Sequence, residues 1–192
     1  NLSATDSDEE MQAIDLETTP LLSAHDAEIR LNPKLFERVK AVYDDKASLK
    51  LDEDQEKLLT DTYESFVRGG ALLGVKDKVR YKEVVEELAV LTLKFGENMR
   101  KDTTQYEIVV ENIDELDGVP EYIIKGGAKK ATERGMEGKW LFLPTRSNVE
   151  GITTYGHNRE LRRKLFEGYV TCGDRGNAFD NNSLIPQILN LR

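Results

Sequence analysis

Residues that carry out catalysis or hold metals are scarce in this chain, which has one cysteine and two histidines among 192 residues. The single thiol, Cys172, cannot form an internal disulfide and has no CxxC partner or neighbouring histidine, so we predict a structural thiol. His25 and His157 lie far apart in the sequence, and neither belongs to an HExxH motif. A histidine in such a context is usually a surface or half-buried residue rather than a metal ligand.

Motifs that cradle phosphates or activate a nucleophile are also missing. The sequence has no GxxxxGK[ST], GxGxxG or GxSxG stretch, and its glycine pairs are predicted at a helix end (Gly69–Gly70) and inside a helix (Gly126–Gly127). The acidic clusters at 6–10, 44–45 and 52–56 lack EF-hand spacing, and we interpret them as helix-start charges. From the residues alone we predict no catalytic, metal or cofactor-binding residue in this chain.

Long apolar runs and an excess of basic charge are absent as well. No segment approaches the roughly 18 apolar residues that span a bilayer, and the polar start NLSATDSDEE is unlike a signal peptide. We expect a cytoplasmic protein with no membrane partner; a periplasmic or secreted parent stays open because a processed start would hide a leader. A net charge of −9 opposes nucleic-acid binding, and the basic stretches at 125–134 and 159–164 contain glutamates typical of a solvated helix face.

Helix signals dominate the first half of the chain. Thr19-Pro20 and Asn32-Pro33 each place a capping residue before a proline, which is typical of a first helical turn. Asp52 with Gln55 predicts a capping box, and Gly69–Gly70 predicts the end of that helix. An apolar face that recurs from about residue 76 to about 103 predicts one long helix of about 40 Å.

The pattern changes in the second half. The segments 106–110 and 139–143 are short, β-branched and aromatic, which predicts two strands (about 105–111 and 138–143) whose relative direction stays open. Pro120 opens a helix that ends near Gly135. One apolar face runs from Val149 to Tyr169, and a final helix covers 184–191. We therefore predict a mainly α multi-helix bundle with one long central helix and a minor two-stranded β element.

We treat residues 1–192 as one helical domain, with a sub-boundary near 103–105. Two asparagines match the glycosylation sequon by pattern alone, at Asn1-Leu2-Ser3 and at Asn181-Asn182-Ser183. The last apolar pattern stops at Arg192 without a C-terminal signal, which predicts a truncated chain.

Several stretches, in order along nearly the whole chain, resemble a known enzyme family. These are LSAHDAEIRLNPKLFERVKAVYD (22–44), LLTDTYESFVRGGALL (58–73), ELAVLTLKFGENM (87–99), PEYIIKGGAKKATERGMEGKW (120–140), NRELRRKLFEGY (158–169) and GNAFDNNSLIPQILNLR (176–192). They resemble the helical N-terminal part of the zinc oligopeptidases related to peptidyl-dipeptidase, oligopeptidase A and thimet oligopeptidase. The loop at 173–182 and the LSAHD segment favour the peptidyl-dipeptidase branch.

The resemblance implies that the parent protein is a zinc-dependent peptidase. Its zinc would be held by the two histidines of an HExxH helix and a further glutamate, all beyond Arg192. The parent would hydrolyse short peptides in a channel between two helical halves and release C-terminal dipeptides. This chain would be a neurolysin-like N-terminal region that forms part of the channel wall, binds no zinc and is inactive alone.

Other interpretations stay open. A non-catalytic helical interaction module on the same scaffold would fit the mixed-charge surface, and an acidic mimic of nucleic acid would fit the net charge. Removal of a partner half would expose apolar surface, so we also expect some self-association of this chain.

Overall fold

The computed structural model describes residues 8–192, and within them the chain is mainly α-helical. The helices are α1 (Glu9–Arg30), α2 (Pro33–Asp44), α3 (Glu53–Arg68), α4 (Val75–Gln105), α5 (Glu121–Glu133), α6 (Arg146–Tyr155), α7 (Arg159–Val170) and α8 (Leu184–Leu191). Two short strands, β1 (Ile108–Val110) and β2 (Trp140–Phe142), and a 3₁₀ turn at Ile113–Leu116 complete the elements. The predicted fold class, mainly α with a minor two-stranded element, is confirmed.

The described residues divide into two compact units, one formed by residues 8–93 with Asn190–Arg192 and the other by Lys94–Leu189. Helix α4 supplies its first turns to the first unit and its last turns to the second. The sub-boundary near 103–105 stays a prediction.

Capping side chains define the helices of the first unit where the sequence predicts them. The Asn32 side chain accepts from the Leu35 N–H at 3.1 Å, with Pro33 in the first turn of α2. Asp52 and Gln55 form both hydrogen bonds of the capping box at the start of α3, and Gly69 follows its last residue. These contacts satisfy N–H groups that a helix leaves without intrahelical partners.

The first helix does not begin at Thr19-Pro20, and that prediction is wrong. Helix α1 begins at Glu9, capped by Asp8, whose side chain accepts from the Met11 N–H at 2.8 Å. Pro20 lies inside the helix. An internal proline removes one backbone hydrogen bond, and capping at Asp8 starts the helix well before that point.

The prediction that the acidic cluster at 44–45 begins a helix is also wrong. Asp52 and the residues that follow it do begin a helix, whereas Asp44 ends α2 and Asp45 follows it. Carboxylates at a helix C-terminus oppose the helix dipole. Lys40 compensates by pairing with Asp44 one turn earlier on the same helix.

An aromatic cluster packs α2 against α3 in the first unit. The Phe36 ring lies 5.8 Å from Tyr63 and 6.1 Å from Phe66, and Tyr43 stacks on Tyr63 at 4.0 Å between ring centroids. Phe36 is buried. Aromatic pairs at these separations stabilise packing beyond the area that they bury.

The second unit is built around the antiparallel pair of β1 and β2, in which Ile108 lies opposite Phe142 and Val110 lies opposite Trp140. The fully buried Phe142 ring faces α5. Its buried core comprises Ile108, Val110, Leu116, Val119, Ile123, Phe142, Val149, Ile152, Leu161 and Leu165. The two strands are confirmed, and the structure supplies the direction that the sequence left open.

The apolar face from Val149 to Tyr169 belongs to two helices rather than to one continuous helix. Gly156 is extended after the end of α6, and the Asn158 side chain caps α7 by accepting from Leu161. The Arg162 guanidinium donates to the Gly156 carbonyl at 2.6 Å. The break follows because the Asn158 side chain offers the backbone an alternative partner and because glycine is a poor helix former.

Three glycines of the second unit lie against large side chains. A Cβ would lie 2.6 Å from the Phe142 ring at Gly127, 2.0 Å from Ile123 at Gly151 and 2.5 Å from the Tyr106 ring at Gly168. The interior of α5 thus contains a glycine that packing requires.

The neighbouring Gly126 is exposed and a Cβ there would meet nothing within 4 Å. We expect Gly126→Ala to raise the free energy of unfolding by about 0.5–1 kcal/mol through helix propensity. Gly127→Ala should lower it, because overpacking costs about 1–3 kcal/mol. Urea denaturation of both variants measures the change in the free energy of unfolding that each substitution causes. Stabilisation by Gly127→Ala would contradict the packing of Gly127 on Phe142.

Candidate functional site

The two histidines lie on the surface and do not share a site. His25 is exposed on α1. The His157 Nδ1 lies 2.8 Å from the Asp117 carboxylate, and both side chains are mostly exposed. The hydrogen bond from His157 and its charge lower the pKa of Asp117. Nowhere in residues 8–192 do three or more His, Cys, Asp or Glu side chains gather in a group that would hold a metal ion.

The contact between His157 and Asp117 joins the 3₁₀ turn to the start of α7. The His157 N–H also donates to the Asp117 carbonyl at 2.9 Å. Gly118, the residue after Asp117, has φ +78°, and a Cβ there would lie 2.3 Å from the Tyr155 carbonyl oxygen. The pair therefore fixes a tight junction between the two segments, which is a structural role.

Cys172 is half-buried beside the end of α4. Its Sγ lies 3.2 Å from the Thr103 hydroxyl and donates to the Met99 carbonyl at 3.4 Å. Neither neighbour is a base that would activate the thiol. This environment agrees with the structural thiol that the sequence predicts.

The second unit contains an ion pair whose carboxylate is buried and whose guanidinium is half-buried. Asp102, on the last turn of α4, is 1% exposed, and its carboxylate lies 2.9 Å from Arg175 Nη1. The Gly173 N–H donates to the carboxylate at 2.7 Å and the Asn177 amide donates at 2.6 Å. Burial raises the pKa of Asp102, but these two hydrogen bonds and the Arg175 charge together bring the pKa below its ordinary value.

The partner guanidinium is held on several sides. Arg175 donates to the Asp102 carbonyl at 2.9 Å, to the Thr171 hydroxyl at 3.1 Å and to the Gly168 carbonyl. It also lies over the Tyr106 ring, 4.4 Å from the centroid. Such contacts match the planar, multiply donating geometry of arginine. Because both charges are engaged with protein groups, the pair anchors the loop after α7.

A second buried polar side chain anchors the same loop. Asn181 is 2% exposed, accepts from the Asn98 amide at 2.9 Å and donates to the Phe95 carbonyl at 3.2 Å. A side chain held in this way is inaccessible to a glycosylating enzyme in the folded chain. The sequon at Asn1 lies outside the residues that the structure describes.

The sequence does not predict the anchoring role of Asp102, Arg175 and Asn181. Asp102 lies in the last turn of a helix rich in other polar residues, so nothing in the sequence distinguished its charge. The usable signal was the loop at 173–182, whose many backbone and side-chain polar groups require partners when a loop lies on a core.

The two basic stretches lie among carboxylates. In the first, Lys125 pairs with Glu121, Lys129 with Glu133 and Arg134 with Glu107. In the second, Arg163 bridges Glu160 and Glu167. Four of the eight basic side chains in the two stretches thus pair with a carboxylate, which is typical of a mixed-charge helix face.

Two of the open cavities of the first unit have a mainly apolar lining. One, of about 710 Å³, is bounded by the end of α1, the start of α2 and the first turns of α4, and it includes Leu31, Val79 and Lys78. The other, of about 400 Å³, is an apolar groove between α2 and α3 that includes Val42 and Leu58. Both have volumes in the range of small-ligand pockets.

The chain is similar in sequence to several known peptidases. It is 29% identical over 191 residues to a dipeptidyl carboxypeptidase of Escherichia coli strain K12. The aligned region covers 100% of this chain and 28% of the relative. It is 27% identical over 177 residues to oligopeptidase A of Haemophilus influenzae, with 90% of this chain and 26% of the relative covered. A probable cytosolic oligopeptidase A of Arabidopsis thaliana is 25% identical, over 82% of this chain and 23% of the relative.

These matches confirm the resemblance that the sequence predicts: the homologues of this chain are dipeptidyl carboxypeptidases and oligopeptidases A. The chain spans about a quarter of the length of the relatives it matches. No protein-family model matches the chain. Among residues 8–192, no helix is both long enough and apolar enough to cross a bilayer.

Proposed function

We propose that this chain is the channel-wall portion of a zinc metallopeptidase that hydrolyses short peptides and releases C-terminal dipeptides. The observation that supports the proposal is the similarity to a dipeptidyl carboxypeptidase along the whole chain. The slightly higher identity to that relative than to oligopeptidase A favours the dipeptide-releasing branch.

In such a parent, a bound zinc ion would supply Lewis-acid chemistry for the hydrolysis of the peptide bond. The residues described here do not fit a zinc site, because no group of suitable side chains gathers among them. We therefore assign no zinc ligand to this chain. Its own residues supply helices, and within the second unit the Asp102–Arg175 pair fixes the loop before α8. We place the parent in the cytoplasm.

Two measurements test this function. The coding sequence downstream of Arg192 should contain an in-frame HExxH motif within a few hundred codons; its absence would overturn the proposal. The 192-residue chain, assayed alone with added zinc on a quenched fluorescent peptide, should show no hydrolysis above buffer. The parent enzyme is the positive control, and metal-dependent cleavage by the chain alone would contradict an inactive wall.

A helical interaction module is the second candidate, favoured by the apolar groove between α2 and α3. Leu58 is 68% exposed and Val42 is 47% exposed there, and exposed apolar patches often mark binding surfaces. The downstream sequence separates the two candidates, because a stop codon directly after Arg192 would favour the module.

A further inference from the structure

The larger cavity of the first unit combines an apolar lining with uncompensated positive charge. Its apolar side chains are accessible: Val75 is 85% exposed and Val79 is 56% exposed, whereas Leu31 lies buried beneath. Both valines lie on the first turns of α4 and leave more than half of their surface in solvent. They would gain from contact with an apolar side chain of a ligand.

Three lysines, Lys34, Lys78 and Lys82, line the same cavity. Among the ion pairs of residues 8–192 none involves them, and Lys78 donates instead to the Leu31 carbonyl at 3.4 Å. Other lysines of this unit do pair: Lys40 with Asp44, and Lys57 with Asp61.

Glu28 is the one carboxylate that lines the cavity among the described residues, so the lining carries three positive charges and one negative charge. This local excess occurs on a chain whose net charge is −9. The start of α4, at Val75, adds the positive end of a helix dipole at the same place.

We propose that this cavity binds a short acidic peptide segment, with a carboxylate held by Lys78 and Lys82 and an adjacent apolar side chain resting on Val75 and Val79. A free phosphate would use the lysines but would leave the valines uncovered. The negative charge of the rest of the chain disfavours a polynucleotide. An acidic, partly apolar peptide satisfies both parts of the lining, and the binding does not depend on the proposed peptidase activity.

Fluorescence polarisation of the full 192-residue chain tests the proposal with a labelled peptide of alternating leucine and glutamate. We expect saturable binding that weakens by about tenfold in Lys78→Ala/Lys82→Ala, because two charge-assisted contacts are lost. The matched control is Lys76→Ala/Lys94→Ala, which removes two exposed lysines from the same helix outside the cavity lining. It should change the affinity by less than about twofold.

Two further comparisons test each half of the lining. A leucine–glutamine peptide should bind at least about tenfold more weakly, since it lacks the charge. Val79→Ser should weaken binding of the leucine–glutamate peptide, and thermal unfolding should show that each variant remains folded. Equal binding of the two peptides, an equal loss in the control variant or no saturable binding would each overturn the proposal.

Discussion

Asp102→Ala should lower the free energy of unfolding of the second unit by about 3–5 kcal/mol, because it leaves the guanidinium of Arg175, whose side chain is only 14% exposed, without its counter-charge. The substitution also removes the acceptor for the Gly173 N–H and for the Asn177 amide. Chemical denaturation followed by circular dichroism measures the loss. The control Glu150→Ala removes an exposed pair with Arg146 in the same unit, and it should cost only about 0.3–0.5 kcal/mol.

The double variant Asp102→Ala/Arg175→Ala distinguishes a lost pair from a general packing defect. It leaves no unpaired charge, so its loss should be smaller than the sum of the two single losses. Strictly additive losses would show that the two side chains do not interact in the folded chain.

The same carboxylate should give the unit a characteristic response to acid. The pKa of Asp102 lies below its ordinary value in the folded chain. Its stabilisation is therefore fully present above the unfolded pKa of about 3.9 and is lost as the pH falls through the lower, folded value. In Asp102→Ala the free energy of unfolding should fall less steeply as the pH is lowered through this range. In Glu150→Ala the fall should be as steep as in the unmodified chain.

Gly118→Ala should destabilise the second unit by about 2–5 kcal/mol, from left-handed backbone strain of about 1–2 kcal/mol and overpacking of about 1–3 kcal/mol. Gly118 has φ +78°, and a Cβ would lie 2.3 Å from the Tyr155 carbonyl oxygen, a backbone atom that cannot rotate away. The shift of Tyr155 would strain the junction that His157 and Asp117 form.

Gly138→Ala is the matched control for this substitution. Gly138 has the same φ of +78°, but a Cβ there would meet nothing within 4 Å. It should show only the backbone strain of about 1–2 kcal/mol, and the difference in unfolding free energy isolates the clash. Equal losses in the two variants would contradict the close approach of Gly118 to Tyr155.

Local signals in the sequence predicted much of the fold because short-range physics decides those elements. Asn32-Pro33, the Asp52–Gln55 box and the long α4 pattern all act through hydrogen bonds or contacts within a few turns. The error in the start of the first helix, at Thr19-Pro20, arose because a competing cap, Asp8, lies earlier in the chain.

The loop anchors could not be predicted in the same way. Asp102 and Arg175 are 73 residues apart, and nothing in the residues around either one indicates the partner. Their pairing depends on how α7 and α4 pack, which is a tertiary property. The lysine-lined cavity was missed for the same reason, because Lys34 and Lys78 belong to different helices.

The glycines that lie against large side chains constrain how this chain can evolve. Gly168 leaves room for the Tyr106 ring, as Gly127 does for Phe142. A methyl group at position 168 would fit only beside a smaller residue at position 106. The residue types at the two positions are therefore coupled. We therefore expect each glycine and its aromatic partner to show correlated substitutions among descendants of this sequence.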